Sequence, residues 1–328
     1  MDAAPAFPEF KPLELADKPI FDAALAAHPP RTSELGFTNL FIWRRSLQTR
    51  WCRLDDWLLV VFGGASGGAC GLEPIGPPGR ADAVDRLLGW LAADHGSPDP
   101  RLERVGSGLA DELAGDARFA QEATREHFDY VYRRSDLVEL RGKRYHAKRN
   151  HINRLRRERE YAVAALGPAL LDECLELAAL WCHARTCTED MGLNDEWDAT
   201  RELLQHFEPL ALQGAVIQID DRVQAFTAAD RLRPDTSVIH VEKANPEIPQ
   251  LYAAINQHFA ERLDPALAWI NREQDLGEPG LRKAKQSYHP DHLEPKFRIR
   301  PQRGSSAATK NSAVLPRNFA GREDSRGW

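Results

Sequence analysis

Apolar positions along the chain recur at strand and helix spacings that predict a mixture of both elements. In the first half, alternation and short apolar runs indicate strands, and apolar positions three and four residues apart indicate amphipathic helices. The predicted strands are 50–57, 57–63 and 127–134, and the predicted helices are 16–28 and 80–96. A helix with a thin apolar stripe and a strongly polar surface is predicted over 141–160.

The second half reads strand, helix, helix, three strands, helix, strand, helix, strand. That order is typical of a mixed α/β fold with one central sheet, which the last strand is expected to complete. The predicted elements are 161–166, 169–185, 198–212, 214–220, 223–232, 236–244, 248–263, 267–273, 281–288 and 293–300.

The length of 328 residues allows two domains, each with its own core. We predict an N-terminal domain over 1–140, a linking basic helix over 141–160, a C-terminal domain over 161–300 and a disordered tail over 301–328. The strongest apolar run, Trp57–Phe62, has the length of a strand and not of a membrane span. The N-terminus lacks the cationic lead of a secretory signal, so a cytoplasmic location is expected.

Positive charge is concentrated in one segment of an acidic chain. Residues 141–160 carry a net charge of +7, whereas the whole chain carries −6. Such a segment attracts anions, either RNA phosphates or an anionic lipid headgroup. The alternative is a solvated helix face with internal pairing to glutamates. The candidate anion-binding residues are Arg149, Arg154, Arg156 and Arg157.

Two other features carry less functional weight. Five cysteines are an odd number in a long chain, which argues against a disulfide scaffold, and their spacing favours packed thiols over a metal site. The glycine-rich run 63–71 lacks the following Lys-Ser/Thr of a phosphate-binding loop, so a hairpin turn is the better interpretation. No metal or redox cofactor is expected.

The segment from Trp269 to Pro290 is the most informative about function. A short strand runs into a Gly-rich turn and then into the helix 281–288. Polar side chains follow one another at the strand end, and the backbone N–H groups at a helix start favour anions. These side chains are Asn271, Arg272, Glu273 and Asp275.

Strands 236–244 and 267–273 carry polar side chains that could converge on one cleft. Strand alternation would put His240 and Glu242 on one face of the first, and Asn271, Glu273 and Asp275 on one face of the second. Converging carboxylates could bind an amine and accept its proton, so Glu242 and Glu273 are candidate catalytic residues. The alternative is a structural ion network with Lys243, Arg272 or Arg282.

The helix 281–288 adds three candidates. Arg282 and Lys285 are three residues apart and could clamp a phosphate or carboxylate, unless they form a solvated face. Tyr288 closes the helix and, from the residues alone, is a packed aromatic residue.

Four segments resemble a bacterial family of tandem GNAT-like proteins. They are SELGFTNLFIWR, KRYHAKRNHINRLRR, IHVEKANPEIPQLYAAINQHFA and WINREQDLGEPGLRKAKQSYHP, and the resemblance covers roughly 5–300. The domain of this family is named after the C-terminal catalytic region of phosphatidylglycerol lysyltransferase. The resemblance implies two GNAT-like (acyl-CoA N-acyltransferase fold) domains with a mixed α/β sheet. In such a sheet, strands 236–244 and 267–273 would be neighbours that splay apart to admit a substrate. By analogy with GNAT acetyltransferases, Tyr288 would be a candidate proton donor to the leaving group.

The resemblance also implies an activity. Relatives move an amino acid from aminoacyl-tRNA to an amine or hydroxyl, so the expected partners are an aminoacyl-tRNA donor and a small-molecule or lipid-headgroup acceptor. The chain departs from acetyltransferases at 241–249, where two prolines and glutamates replace the glycine-rich turn that holds the pyrophosphate of coenzyme A. This departure argues against acetyl-CoA as the donor, and an acyl-CoA donor is the rival within the enzyme class. The rival function is a non-catalytic binder of anions, RNA or lipid. The membrane-embedded half of full lysyltransferases has no counterpart in this sequence.

Overall fold

The computed structural model describes residues 4–63, 68–93, 96–184 and 191–302. The predicted disordered tail beyond residue 302, and residues 64–67 of the predicted glycine-rich turn, lie outside the described part of the chain.

The described residues form short strands and helices in the mixed order that the sequence predicts. The strands are β1 (Lys11–Pro12), β2 (Arg50–Leu54), β3 (Trp57–Phe62), β4 (Cys70–Gly71), β5 (Leu102–Gly106), β6 (Phe119–Ala123), β7 (Asp129–Arg133), β8 (Ala162–Ala165), β9 (Gln213–Ile219), β10 (Arg222–Arg233), β11 (Thr236–Ala244), β12 (Trp269–Asn271), β13 (His292–Glu294) and β14 (Lys296–Pro301). The α-helices are α1 (Lys18–Ala27), α2 (Phe37–Ile42), α3 (Ala81–Ala93), α4 (Ser107–Glu112), α5 (Arg134–Glu139), α6 (His146–Glu158), α7 (Leu171–Ala184), α8 (Met191–Gln205), α9 (Leu251–Arg262) and α10 (Pro279–Gln286).

The strands assemble into two mixed sheets of seven strands each. The first has the order β1-β2-β3-β4-β5-β14-β6, and the second has the order β13-β7-β12-β11-β10-β9-β8. Most neighbours are antiparallel, but β4 pairs parallel to β5 and β11 pairs parallel to β12. Each sheet therefore contains one parallel pair, which requires a crossover through a helix.

The two sheets exchange a strand, which corrects one expectation. Residues 293–300 were expected to complete the second sheet, but Pro295 interrupts this segment and only β13 pairs there, with β7. The rest, β14, pairs with β5 and β6 in the first sheet, while β7 from the first half lies between β12 and β13. Alternation predicts that a segment is a strand but not which free edge it joins. The division at 140 and 161 stays a prediction.

A buried ion network ties the exchanged strands together. The ammonium of Lys296, on β14, lies 2.6 Å from Asp129 of β7 and 2.5 Å from Glu34. Asp129 also accepts hydrogen bonds from the backbone N–H of Ser33 and from the amide of Asn271. All five side chains are buried. Buried charges persist only when they are paired in this way, so the network fixes how the halves dock.

Helices cover both faces of the second sheet. One face packs against α2, α7 and α8 around Val216 and Phe226, and the other packs against α5, α6 and α9 around Ile217 and Ala225. The thin apolar stripe predicted for the basic helix is confirmed, because Ile152 and Leu155 of α6 are buried in this second core. At one end of this sheet β11 and β12 separate beyond Val238 and Asn271.

Candidate functional site

A gap between β11 and β12 is the central feature of the second sheet. The two strands pair in parallel only from Thr236 and Trp269 as far as Val238 and Asn271. Beyond that point two side-chain contacts, His240 to Glu273 and Glu242 to Arg272, span the separated strands. The two strands are therefore neighbours that separate, as predicted.

A β-bulge changes which side chains share a face. Ala228 and Ala229 of β10 are consecutive, yet they pair with Val241 and Ile239, so His240 is left as the extra residue. The prediction that His240 and Glu242 lie on one face is therefore wrong. His240 faces the side of the sheet covered by α2, and Glu242 faces the side covered by α9.

The acidic side of the gap is formed by Asp230, His240 and Glu273. The imidazole Nδ1 lies 3.0 Å from Oε1 of Glu273, and Nε2 lies 3.2 Å from Oδ1 of Asp230. Burial opposes a charge on His240, but Asp230 and then Glu273 outweigh it and raise the pKa of the imidazole to about 10. His240 is therefore a cation at neutral pH, and both of its N–H groups donate.

Glu273 is held in a conformation that requires support. Its backbone φ of 55° lies in the left-handed region, which is rare for a non-glycine residue and is enriched at functional sites. The amide of Asn39 and the imidazole of His240 both donate to Oε1, and the backbone N–H donates to Asn271. Among the described residues Oε2 accepts no hydrogen bond, and the side chain is 18% exposed. One carboxylate oxygen is therefore oriented and reachable.

The cationic side of the gap is formed by Lys148, Glu242, Arg272 and Tyr288. Glu242 accepts hydrogen bonds on one oxygen from Arg272 at 2.9 Å and on the other from Asn256 at 3.3 Å. Glu242 is thus fully engaged and holds the guanidinium in place. Burial, opposed by the charge of Arg272, raises the pKa of Tyr288, so its hydroxyl stays protonated.

Lys148 is a site residue that the sequence reasoning missed. It belongs to the basic helix α6, and its ammonium lies 3.8 Å from the centroid of the Tyr288 ring. The guanidinium of Arg272 lies 4.8 Å from the same centroid. Burial, and then repulsion by Arg272, lower the pKa of Lys148 to about 8. Its place four and seven residues before Ile152 and Leu155, the buried positions of α6, would have been the available signal.

The other predicted site residues lie near the gap but are engaged in structural contacts. Lys243 pairs with Glu196 at 2.5 Å and lies over the ring of Trp181, on the α7 side. Asn271 is buried in the ion network of Asp129. These contacts orient the strands that border the gap.

Asp275, Arg282 and Lys285 organise the turn after β12. The carboxylate of Asp275 is fully buried and receives two hydrogen bonds of 2.8 Å from Arg282 and one of 2.7 Å from the hydroxyl of Tyr130. Burial opposes ionisation of Asp275, but these donors lower its pKa. Lys285 is buried and donates to the backbone carbonyls of Arg272 and Gln274. The predicted clamp is therefore directed inward, at the protein's own groups.

The basic helix keeps a solvated cationic surface. Arg154, Arg156 and Arg157 are exposed, and Arg154 pairs with Glu158 at 2.7 Å. Arg149 differs, because it donates to the carbonyls of Leu140 and Gly142 at the end of α5. Three of the four predicted anion-binding arginines thus face solvent.

In the turns that lead into α3 and α9, four backbone N–H groups are bonded to the protein's own groups. Before α9, the N–H groups of Glu247 and Ile248 bond to the side chain and carbonyl of Asn245. Before α3, the N–H groups of Gly79 and Arg80 donate to the carboxylate of Glu112. A phosphate would have to displace these acceptors.

The described residues contain neither a candidate metal site nor a candidate membrane-spanning helix. Within ranges 4–63, 68–93, 96–184 and 191–302, no group of three or more potential metal ligands occurs. Within the same ranges, no helix combines the length and apolar character of a membrane span.

Comparison with known proteins places the chain in a family. Residues 26–300 match a family model described as phosphatidylglycerol lysyltransferase, C-terminal. The chain belongs to this family. A crystal structure of a conserved protein of unknown function from Bacteroides thetaiotaomicron VPI-5482 is similar, with 35% identity, a TM-score of 0.82, and coverage of 89% of this chain and 99% of that chain. Among curated proteins no match was found.

Two more distant structures share the fold of this family member. The C-terminal domain of a putative lysylphosphatidylglycerol synthetase from Agrobacterium fabrum is 15% identical, with a TM-score of 0.59 over 90% of this chain and 94% of that chain. L-PGS from Bacillus licheniformis is 14% identical, with a TM-score of 0.59 over 88% and 93%. The predicted tandem GNAT-like α/β fold is confirmed.

Proposed function

We propose that the protein is an acyltransferase that moves an aminoacyl group from an RNA ester to an amine or hydroxyl acceptor. The observation that carries this proposal is the oriented carboxylate of Glu273 at the gap between β11 and β12, with cations on the opposite face. Membership of a family named for a lysyltransferase supports the aminoacyl type.

The acidic side suits the acceptor. Oε2 of Glu273 can bind an ammonium group or take the proton that an amine or hydroxyl loses as it attacks. The charged imidazole of His240 donates to Oε1 and keeps the carboxylate aimed into the gap. The acceptor atom then bonds to the ester carbonyl carbon, and the bond from that carbon to the RNA oxygen breaks.

The cationic side suits the donor. Arg272, fixed by Glu242, supplies positive charge next to the gap, where charge stabilisation contributes most to acyl transfer. The protonated hydroxyl of Tyr288 can return a proton to the departing RNA oxygen. In the turns before α3 and α9, the N–H groups of Gly79 and Glu247 already donate to Glu112 and Asn245, which argues against binding the pyrophosphate of an acyl-CoA donor there.

The test is transfer from aminoacylated tRNA. The protein is incubated with a tRNA pool carrying radiolabelled amino acids and with simple amine and hydroxyl acceptors, and label leaving the RNA for small products is counted. We expect protein-dependent transfer, with Lys283→Met as an exposed-residue control of equal rate. Label that stays on the RNA with every acceptor would contradict the proposal.

A non-catalytic RNA binder is the second candidate, because Arg154, Arg156 and Arg157 are exposed on one helix. In that case reversal of charge at Arg154 and Arg157 would abolish RNA binding, while Glu273→Gln would change nothing. Binding and transfer measured on the same two variants separate the candidates.

A further inference from the structure

The cationic side of the gap contains more donors than the protein itself uses. Arg272 and Lys148 carry two positive charges, and Glu242 supplies the one carboxylate that pairs with Arg272. Nη1 of Arg272 is buried and has no partner of good hydrogen-bond geometry among the described residues, although the hydroxyl of Tyr288 also interacts with this guanidinium. A buried donor without a partner is costly, so it marks a place that a ligand can complete.

Lys148, at the more exposed end of the cationic side of the gap, is a second cation, and it lacks a hydrogen-bond acceptor in the described part of the chain. Within the described residues, its ammonium forms no ion pair or hydrogen bond, and its contact is with the face of Tyr288. The groups that face it are Tyr288 from the end of α10, Arg272 from the strand end and Glu242 from β11. The side chain is half-buried, so an anion from solvent can reach it.

We propose that Lys148 and Arg272 form a binding subsite for one phosphate group of the acyl donor. A guanidinium with a free N–H and an ammonium are the side chains that bind phosphate by charge-assisted hydrogen bonds. The exposed Arg154, Arg156 and Arg157 on the same helix add to the positive potential around α6, which favours a polyanionic donor over an isolated small anion. The role of this subsite in transfer rests on the proposed function, but its existence is measured by binding alone.

The lysine also gives the subsite a pH dependence. Because burial and Arg272 hold the pKa of Lys148 near 8, part of its positive charge is lost between pH 7 and pH 9.5. A bound oxyanion favours the protonated lysine, so binding should weaken over this range. Arginine at the same position would keep its charge throughout.

The experiment uses sulfate, which has the shape of phosphate and does not titrate over this range. Sulfate binding to the full chain is measured by calorimetry for the native protein, Lys148→Met, Lys148→Arg and the exposed control Lys143→Met. We expect at least tenfold weaker binding for Lys148→Met, native affinity for Lys143→Met, and loss of the pH dependence in Lys148→Arg. Acetate, as a carboxylate probe, should bind at least tenfold more weakly than sulfate.

The remaining outcomes overturn the subsite, its assignment to phosphate, or the proposed function. Equal sulfate affinity in the native protein and Lys148→Met, or no sulfate binding, would remove the subsite. Acetate binding as tight as sulfate binding would overturn the assignment to phosphate. If Lys148→Met does not fold, the pH dependence of native protein against Lys148→Arg decides. Sulfate binding without aminoacyl transfer would overturn the proposed function and leave the subsite standing.

Discussion

His240 lies 3.0 Å from Glu273 and joins β11 to the end of β12 across the gap between them. The contact exists because a β-bulge turns His240 toward the α2 side of the sheet. In a regular strand His240 would share the α9 side with Glu242. A buried cation between two acids makes the contact strong and makes it depend on pH.

Loss of His240 should therefore lower the stability most at or below about pH 6.5 and least in alkaline solution. Because the folded pKa is raised to about 10, the stabilisation is complete below the ordinary pKa of 6.5 and is lost as pH rises through 10. The difference in unfolding free energy between the native protein and His240→Gln should shrink from pH 6.5 to pH 10.5, as measured by urea denaturation. His151→Gln, an exposed histidine on α6, should show no such trend. A difference that is constant with pH would refute the assignment.

Glu242 should act by positioning Arg272 and not as the base. Both of its oxygens are engaged, so Glu242→Gln replaces a charge-assisted contact with a neutral one. We expect about tenfold slower transfer, since such bonds differ by about 1.4 kcal/mol, with native folding. Glu247→Gln, an exposed glutamate after β11, serves as the matched control. A loss as large as that of Glu273→Gln would instead make Glu242 a direct participant.

The buried ion network should hold the exchanged strands. Lys296→Met leaves Asp129 and Glu34 buried without their shared cation, which costs about 3–5 kcal/mol of unfolding free energy. The exposed Lys283→Met should change it by less than about 0.5 kcal/mol. Equal denaturation midpoints for both variants would show that the network contributes little.

Coenzyme A should not stabilise the protein. Glu112 and Asn245 accept hydrogen bonds from backbone N–H groups in the turns before α3 and α9, so a pyrophosphate would meet fewer free amides there. A ligand at one hundred times its Kd would add about 2.7 kcal/mol of stability and raise the melting temperature. We expect no shift with coenzyme A or acetyl-CoA in a thermal scan, and a clear concentration-dependent rise would favour the acyl-CoA donor.

The sequence predicted the elements more completely than their partners. Alternation located both β7 and β14, but the pairing of β14 with β5 depends on contacts between residues nearly two hundred positions apart. Local patterns carry no information on such pairings. The charges that decide the exchange, Asp129 and Lys296, have no distinguishing local signal.

The sequence predicted that β11 and β12 border a gap, but not the directions of the side chains around it. The neighbouring strands and their polar ends follow from alternation and loop chemistry, whereas one extra residue in a ladder reverses the face of every residue beyond it. That is why Glu242 and Glu273 belong to different sides of the gap. Lys148 was overlooked because its burial depends on the packing of α6 beside α10.

The most direct test of the central claim is the rate of aminoacyl transfer by Glu273→Gln. The variant keeps the shape and the hydrogen bonds to Oε1 but removes the charge that binds or deprotonates the acceptor. With an unchanged melting curve, the rate should fall by about 10²–10⁴-fold, the usual contribution of a general base. Transfer at the native rate by a folded Glu273→Gln protein would contradict the account.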